Sequence, residues 1–276
     1  MARSARLRLQ DLRDVQRLVG ECRELGDSAT TWRSHLLDGA LRLTGAGVGV
    51  EYDLTAEPNH DDSYRALGST DRGWSDGFDR AGWDAMHAEF LKSGPSYQPM
   101  YKPYLEALER GVGPAMTRAD LLSNGGWYRS LYFRDHHVSC GGDATMYGLA
   151  RAGRPAGYSF LVLIRAAGEA DFVPRARAIV GELHAQFAPL IEGPLAGNNE
   201  PSPGGLAPRA RQVLRCLLEG DGDKQIAARL GLSRHTVNFY VRRIFAHFHV
   251  TTRSELMARW IRRGWGLSSK PLDEDP

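Results

Sequence analysis

Residues 223–238 read DKQIAARLGLSRHTVN, and this stretch decides the fold of the C-terminal part of the chain. Its periodicity predicts a short helix over Lys224–Leu230, followed by a tight turn that contains Gly231. Ser233 then caps a longer helix that runs to about His247. Two helices joined by a short turn with glycine form the pattern of a helix-turn-helix.

Two more helices complete the predicted domain. Pro208–Glu219 begins with a proline, which is tolerated there because the first N–H groups of a helix have no intrahelical partner. The segment Thr252–Glu255 has the capping-box pattern and opens a fourth helix, from Arg253 to about Arg263. Asp223 is predicted to cap the second helix. The sequence thus predicts an all-α domain of four helices over residues 206–265.

The third helix has two different faces. Its apolar residues recur at helical spacing and supply the core: Val237, Val241, Ile244 and Phe248. The opposite face has an imidazole, an amide, an aromatic ring and a guanidinium but no carboxylate: His235, Asn238, Phe239, Arg242 and Ala246. Such groups suit base edges and phosphates, so this face is a candidate DNA-binding surface.

The whole stretch resembles the LuxR/FixJ-type domain of bacterial transcription regulators. The matching positions are Leu206-x-Pro208-Arg209, Val213-Leu214, Gly220, Lys224-x-Ile226-Ala227, Leu230-x-Leu232-Ser233-x-x-Thr236-Val237 and Val250-x-x-Arg253-x-Glu255. The resemblance implies a DNA-binding set with His235 as a member. Within it we expect groove contacts from Arg234, Asn238, Phe239 and Arg242, and phosphate contacts from Lys224, Ser233 and Thr236.

Several positions depart from the family pattern. Ala207 and Ala210 replace a threonine and a glutamate, so the first helix lacks the usual capping box. Asn238 and Tyr240 replace a common lysine and histidine. His249 replaces a glycine in the left-handed turn after the third helix, at some conformational cost. These changes leave the preferred DNA sequence unpredicted.

The resemblance also implies a homodimer on an imperfect palindrome. In this family the fourth helix often forms the dimer contact, which places two recognition helices about one DNA turn apart. Here that helix offers Leu256, Met257, Trp260 and Ile261. The expected partners are therefore double-stranded DNA, a second copy of the chain and RNA polymerase.

The charge is unevenly distributed. Of 35 basic and 33 acidic residues in the 276-residue chain, residues 206–265 hold 12 and 4, a net of +8. The rest holds 23 and 29, a net of −6. This asymmetry favours nucleic acid as the partner of the C-terminal part only.

The remaining composition indicates a cytoplasmic protein that uses no membrane and no cofactor. Hydrophobic residues make up 42% of the chain, yet the longest apolar run is only Phe160–Ile164, and the N-terminus lacks the apolar segment of a secretory signal. The three cysteines, at positions 22, 140 and 216, are odd in number and widely spaced, so no disulfide framework is indicated.

The preceding part of the chain is predicted to be α+β, an antiparallel sheet with helices at its ends. Predicted helices are Gln10–Leu25, Ala29–Leu43, Trp83–Leu91, part of Tyr97–Leu108, Asn124–Phe133 and a long one from Pro174; predicted strands are Val48–Leu54, Ser63–Leu67, Ala144–Ala150 and Gly157–Ile164. Residues 193–205, rich in glycine and proline, are predicted to be a flexible linker, and residues 266–276 a polar tail.

Residues 8–192 resemble GAF-like sensor domains, more than PAS-like ones, through the element order, Trp127–Ser130, and Asp171–Phe172 before the long helix. Aromatic residues in this part could line a small-molecule pocket or simply form the core. They are Trp74, Trp83, Tyr97, Tyr101, Tyr104, Trp127, Tyr128, Tyr132 and Phe133, of which Trp83, Tyr97, Tyr101, Trp127 and Tyr132 are the candidate ligand-binding residues. The ligand itself is not identified by the sequence.

His136–Asp143 could be a metal site, because histidine and cysteine at this spacing can bind zinc. No second ligand cluster lies nearby in sequence, and a polar loop before a strand is the simpler interpretation. Cys140 has no adjacent base, so the sequence predicts neither a metal site nor a nucleophile there.

These patterns favour a one-component DNA-binding regulator that is not an enzyme. A response regulator is one alternative, but it needs a parallel receiver with an acidic pair after its first strand. An enzyme with an attached DNA-binding domain is another, without a recognisable catalytic set. A third is a ligand-free GAF-like domain that serves only for dimerisation.

Overall fold

The computed structural model describes residues 6–57, 65–74, 77–93, 98–113, 115–153, 157–197, 201 and 203–263. The chain divides into two compact units. The first consists of Met1–Leu25 and Thr30–Ile191, and the second of Gly26–Ala29 and Glu192–Pro276.

The first unit is a mixed α and β structure. Its helices are α1 (Leu9–Glu24), α2 (Ala29–Thr44, which starts at the unit boundary), α3 (Arg80–Ser93), α4 (Tyr101–Glu109), α5 (Arg118–Leu121), α6 (Asn124–Tyr128), α7 (Val138–Cys140) and α8 (Pro174–Phe187). Its strands are β1 (Val48–Leu54), β2 (Ala66–Gly73), β3 (Ala115–Thr117), β4 (Gly142–Arg151) and β5 (Tyr158–Ala166). Pro189 follows the end of α8 in a short 3₁₀ turn, as its missing N–H predicts.

The strands form one antiparallel sheet in the order β2-β1-β5-β4-β3. β1 lies between β2 and β5, with Tyr52 opposite Ser69 on one side and Phe160 on the other. The predicted strand Ser63–Leu67 overlaps β2 at Ala66 and Leu67, and β2 continues through polar residues to Gly73. β3 was not predicted, because three residues directly before a short helix carry no visible alternation.

The predicted antiparallel sheet flanked by helices is confirmed, and the flanking helices cover both faces of the sheet rather than only its ends. Side chains of β1 alternate between the faces, since neighbouring residues of a strand point in opposite directions. Val50 and Tyr52 face a core that contains Trp83 and Trp127. The other face packs against α2 and α8: an added Cβ at Gly49 would meet Leu37 and Leu41, and one at Gly148 would meet His184 and Val180.

The face toward α2 and α8 holds a fully buried polar network. Arg33 Nε lies 2.7 Å from Glu51 Oε2, and Arg33 Nη2 lies 3.4 Å from Asp53 Oδ2. Ser159 Oγ donates to Glu51 Oε1 at 2.7 Å, and His184 Nε2 lies 3.0 Å from the same Ser159 Oγ. Since the single hydroxyl proton goes to Glu51, His184 must donate from Nε2. The network thus fixes a neutral tautomer of His184.

Burial of His184 makes stability depend on pH. Desolvation lowers the pKa of His184 to about 3, so the folded state excludes a proton that the unfolded state accepts below a pKa of about 6.5. The free energy of unfolding should therefore fall as the pH drops, by about 2 kcal/mol from this histidine between pH 7 and pH 5. Urea unfolding at both pH values should show a smaller loss in His184→Asn; an equal loss in both proteins contradicts the prediction.

The segment between α6 and β4 is more helical than the sequence predicted. The expected helix Asn124–Phe133 is interrupted after Tyr128, and a π-helical turn follows over Phe133–His137. The polar loop expected at His136–Asp143 is wrong: its first residues lie in this turn and in α7, and its last two already belong to β4. Packing explains the difference, because His137 is buried and its ring lies 4.7 Å from that of Trp127.

The described residues of the second unit form the four α-helices α9 (Pro208–Leu218), α10 (Asp223–Leu230), α11 (Arg234–His247) and α12 (Arg253–Arg262), which matches the predicted all-α domain. Gly222, not Asp223, is the capping residue of α10, and Asp223 is its first residue. His249 has a φ of 51°, the left-handed conformation expected at this position.

Part of the predicted flexible linker is packed. Leu195 and Ala196 are buried, and the Ala196 amide donates to the Gly26 carbonyl at 2.8 Å within the second unit. The described residues at this end of the segment are therefore ordered by burial, which the glycine and proline content did not indicate.

Candidate functional site

The helix-turn-helix is positioned by the apolar face of α11. Val237, Ile244 and Phe248 are completely buried in a core shared with α9 and α12. Ser233 Oγ accepts the Thr236 amide at 3.0 Å and so fixes the start of α11, as predicted. Gly231 takes the left-handed conformation in the turn, with a φ of 64°. The opposite face of α11 is thereby held toward solvent.

That outer face carries the predicted groove-contacting side chains. Arg234, His235, Asn238, Phe239 and Arg242 are all exposed. Asn238 Nδ2 donates to the Arg234 carbonyl at 3.1 Å, so one amide donor is used within the helix. The second Nδ2–H and Oδ1 of Asn238 remain available to an adenine edge.

The predicted phosphate contacts lie near the starts of two helices. Lys224 is exposed in the first turn of α10. Ser233 and Thr236 lie at the start of α11, with their hydroxyl oxygens 2.8 Å apart. A helix N-terminus attracts anions through its backbone N–H groups, which is consistent with these assignments.

Arg243 is a surface cation that the sequence analysis missed. It is exposed, and its guanidinium carbon lies 5.6 Å from the centre of the Phe239 ring. The signal was present, because residues four apart on a helix are neighbours. Arg243 thus adds positive charge beside the predicted face of α11.

Other arginines of this domain have structural roles. Arg229 pairs with Glu219 and Asp221, and Arg253 donates to the Asp221 carbonyl at 2.8 Å. Arg209 donates to the Leu230 carbonyl at 2.6 Å. By contrast, no ion pair to a described carboxylate involves Lys224, Arg234, Arg242 or Arg243. The arginines of α11 can therefore bind an anionic partner without breaking an ion pair to a described carboxylate.

The fourth helix offers less surface than the sequence suggested. Leu256 and Trp260 are buried in the domain's own core, and the Trp260 ring lies 6.4 Å from that of Phe248. Met257 is half-buried, and Ile261 is 70% exposed. Only the latter two of the four suggested dimer residues are accessible for contact.

The first unit contains a cavity on the face of the sheet opposite the buried polar network. The space between its lining residues is about 460 Å³, a figure that includes the part open to solvent. It is lined by Tyr52, Trp83, Met86, His87, Gln98, Tyr132, His137, Thr145, Tyr147, Phe160, Val162 and Ile164. A second cavity of about 220 Å³ is lined by Gln98, Met100, Tyr101, Tyr104, Tyr147 and Phe160. Gln98, Tyr147 and Phe160 belong to both.

Three of the five candidate ligand-binding residues line these cavities. Trp83 and Tyr132 line the first, and Tyr101 lines the second. Trp127 lines neither: it is fully buried, and its Nε1 donates to Asp143 at 2.9 Å. Tyr97 lies outside the described residues. The sequence analysis missed Tyr52, Phe160 and the histidines, although the alternation of β1 and β5 places both rings on one face.

The candidate metal segment does not form a ligand cluster in the described part of the chain, where no three His, Cys, Asp or Glu side chains converge. Burial raises the pKa of the Cys140 thiol, and all three cysteines are buried and free.

Among the helices that the structure describes, none combines the length and the apolar character needed to span a membrane.

Residues 205–259 match the family model GerE, described as bacterial regulatory proteins, luxR family. The C-terminal domain is thus a luxR-family helix-turn-helix domain, as the sequence resemblance indicated. No curated protein matches the chain. The GAF-like label of the first unit stays a prediction.

Two solved structures align with most of the chain, but at low similarity. A crystal structure of Escherichia coli SdiA is 14% identical, covers 82% of this chain and 86% of its own, and has a TM-score of 0.34. SdiA in complex with octanoyl-rac-glycerol is 15% identical, covers 92% of each chain, and has a TM-score of 0.35. Scores this low do not establish a common fold.

Proposed function

We propose, from the luxR-family helix-turn-helix at its C-terminus, that this chain is a one-component transcription regulator whose first unit senses a small molecule. The observation that carries the proposal is the outer face of α11, which combines exposed cations, an amide and an aromatic ring with no acidic side chain. Because the major groove presents a distinct donor and acceptor pattern for each base pair, this face suits direct reading of sequence.

The proposed complex is a dimer on an inverted repeat. Two recognition helices must then lie about one DNA turn apart. Met257 and Ile261 on α12 supply the accessible apolar surface for this contact. The first unit supplies the sensing function through its aromatic cavity, and RNA polymerase is the downstream partner.

The test is selection of bound DNA from a random pool with the purified full-length protein. We expect enrichment of an inverted repeat and an affinity that falls steeply with salt, because phosphate contacts release counterions. Enrichment with residues 206–276 alone, but not with the full chain, indicates that the first unit blocks DNA binding until a ligand arrives. Enrichment with neither protein overturns the proposal.

Arg242 and Lys224 should affect DNA binding differently. We expect Arg242→Ala to cost about 1–3 kcal/mol on the selected site and to abolish discrimination at one base pair, as loss of a base contact does. Lys224→Ala should weaken binding to all sequences equally and reduce the salt slope by about one. Fluorescence anisotropy on native and base-substituted sites measures both effects.

The matched control is Arg215→Ala, which removes an exposed arginine from α9. It should bind DNA like the native protein at every salt concentration. If Arg242→Ala weakens the native and substituted sites equally, Arg242 contacts phosphate rather than a base.

A further inference from the structure

The two cavities of the first unit together provide an uncharged, aromatic environment. No Asp, Glu, Lys or Arg is among the described residues that line them. Burial lowers the pKa of His137 to about 4 and also lowers that of His87, so both rings are neutral near pH 7. A charged ligand would lose its hydration here without gaining an opposite charge, which strongly disfavours binding.

Two phenol groups in this environment lack good acceptors. Tyr104 is 4% exposed, and its hydroxyl has no hydrogen-bond partner in the described structure. The Tyr147 hydroxyl accepts a hydrogen bond from the Thr145 side chain, but its own proton points to the Met100 sulfur, at 3.6 Å, and a thioether is a weak acceptor. The rings of Tyr104 and Tyr147 lie 5.9 Å apart at the second cavity. A buried donor without an acceptor costs free energy, which a ligand oxygen can recover.

The walls of the cavities are flat. The rings of Tyr147 and Phe160, which belong to both cavities, are almost parallel, with an interplanar angle of 8°. Trp83 and His87 form a second stacked pair in the first cavity, at 19°. Ring faces of this kind favour a planar partner that can stack against them.

We propose that the cavity lined by Trp83, Tyr147 and Phe160 binds a neutral, planar aromatic molecule with a carbonyl-type acceptor, which Tyr104 and Tyr147 hold through their hydroxyl groups. This inference rests on the proposed sensing function and specifies the class of its ligand. A charged ligand is disfavoured by the uncharged lining. A purely apolar ligand would leave the two hydroxyl groups without an acceptor.

The test uses full-length protein and three probes of similar size. Coumarin is planar and neutral and has a carbonyl; naphthalene lacks the carbonyl; coumarin-3-carboxylate adds a charge. In titration calorimetry we expect coumarin to bind most tightly and the carboxylate not to bind. The proposal is wrong if the carboxylate binds as well as coumarin, or if neither neutral probe binds.

Conservative variants connect binding to the phenols. Tyr104→Phe keeps the ring and removes the hydroxyl, so coumarin affinity should fall roughly threefold to tenfold while naphthalene affinity stays unchanged. Tyr147→Phe should have the same effect. Tyr128→Phe is the control, because Tyr128 lines neither cavity and its hydroxyl donates to Asp143. An unchanged coumarin affinity in both Tyr104→Phe and Tyr147→Phe overturns the proposal.

DNA binding, measured in parallel, separates this inference from the proposed function. Coumarin binding that leaves the affinity for the selected DNA site unchanged supports the ligand class and contradicts a sensing role for it. If Tyr104→Phe and Tyr147→Phe bind coumarin as tightly as the native protein, while the native protein still selects an inverted repeat, the ligand class is wrong and the proposed function stands.

Discussion

Replacement of Arg33 by methionine should lower the free energy of unfolding of the first unit by about 3–5 kcal/mol. Arg33, Glu51 and Asp53 are fully buried, and the guanidinium lies within 2.7 Å and 3.4 Å of the two carboxylates. Removal of the cation leaves two buried carboxylates whose lost hydration is no longer offset. Urea unfolding followed by tryptophan fluorescence measures the loss, since Trp32 packs against Arg33.

The control for Arg33→Met is the same substitution at Arg72. Arg72 also pairs with a carboxylate, Asp38 at 3.1 Å, but both side chains are well exposed to solvent. We expect Arg72→Met to cost less than about 1 kcal/mol, because water screens an exposed ion pair. Equal losses in the two variants contradict a special role for the buried network.

Replacement of Phe248 by alanine should destabilise the helix-turn-helix by about 3–5 kcal/mol, enough to unfold it at moderate temperature. The Phe248 side chain is fully buried at the end of α11, where its ring faces that of Trp260. Loss of the ring leaves a cavity between α11 and α12. Thermal unfolding of the full chain, followed by circular dichroism, measures the effect.

Phe239 provides a matched control within the same helix. It is the same residue type, but 51% of it is exposed. Phe239→Ala should leave the melting temperature nearly unchanged and weaken DNA binding. If Phe239→Ala destabilises the domain as much as Phe248→Ala, the two faces of α11 have been assigned incorrectly.

The helix-turn-helix was predictable because local and global signals agree there. The caps at Ser233 and Thr252, the left-handed turn and the apolar face of α11 are each encoded within a few residues. The exposed site residues follow from the same periodicity. Arg243 was missed because it lies at the border of the predicted DNA-binding face of α11, although its spacing of four residues from Phe239 places it beside that face.

The first unit was less predictable because distant residues decide its structure. A polar sequence forms β2 only because β1 pairs with it. Glu51 and Asp53 look like solvent-facing residues of an edge strand, yet both are buried by an arginine that lies 18 and 20 positions earlier. Tyr104 was named among the aromatic residues, but its unpartnered hydroxyl is visible only in three dimensions.

The sheet of the first unit ends in two unlike strands, and this limits how the protein can misassemble. β2, at one edge, is largely exposed and carries Asp71 and Arg72 next to Gly73, while β3, at the other, has only three residues. Charges and short length both hinder the addition of a strand from another chain. Residues that contribute little to the core thus protect the protein against aggregation through open sheet edges.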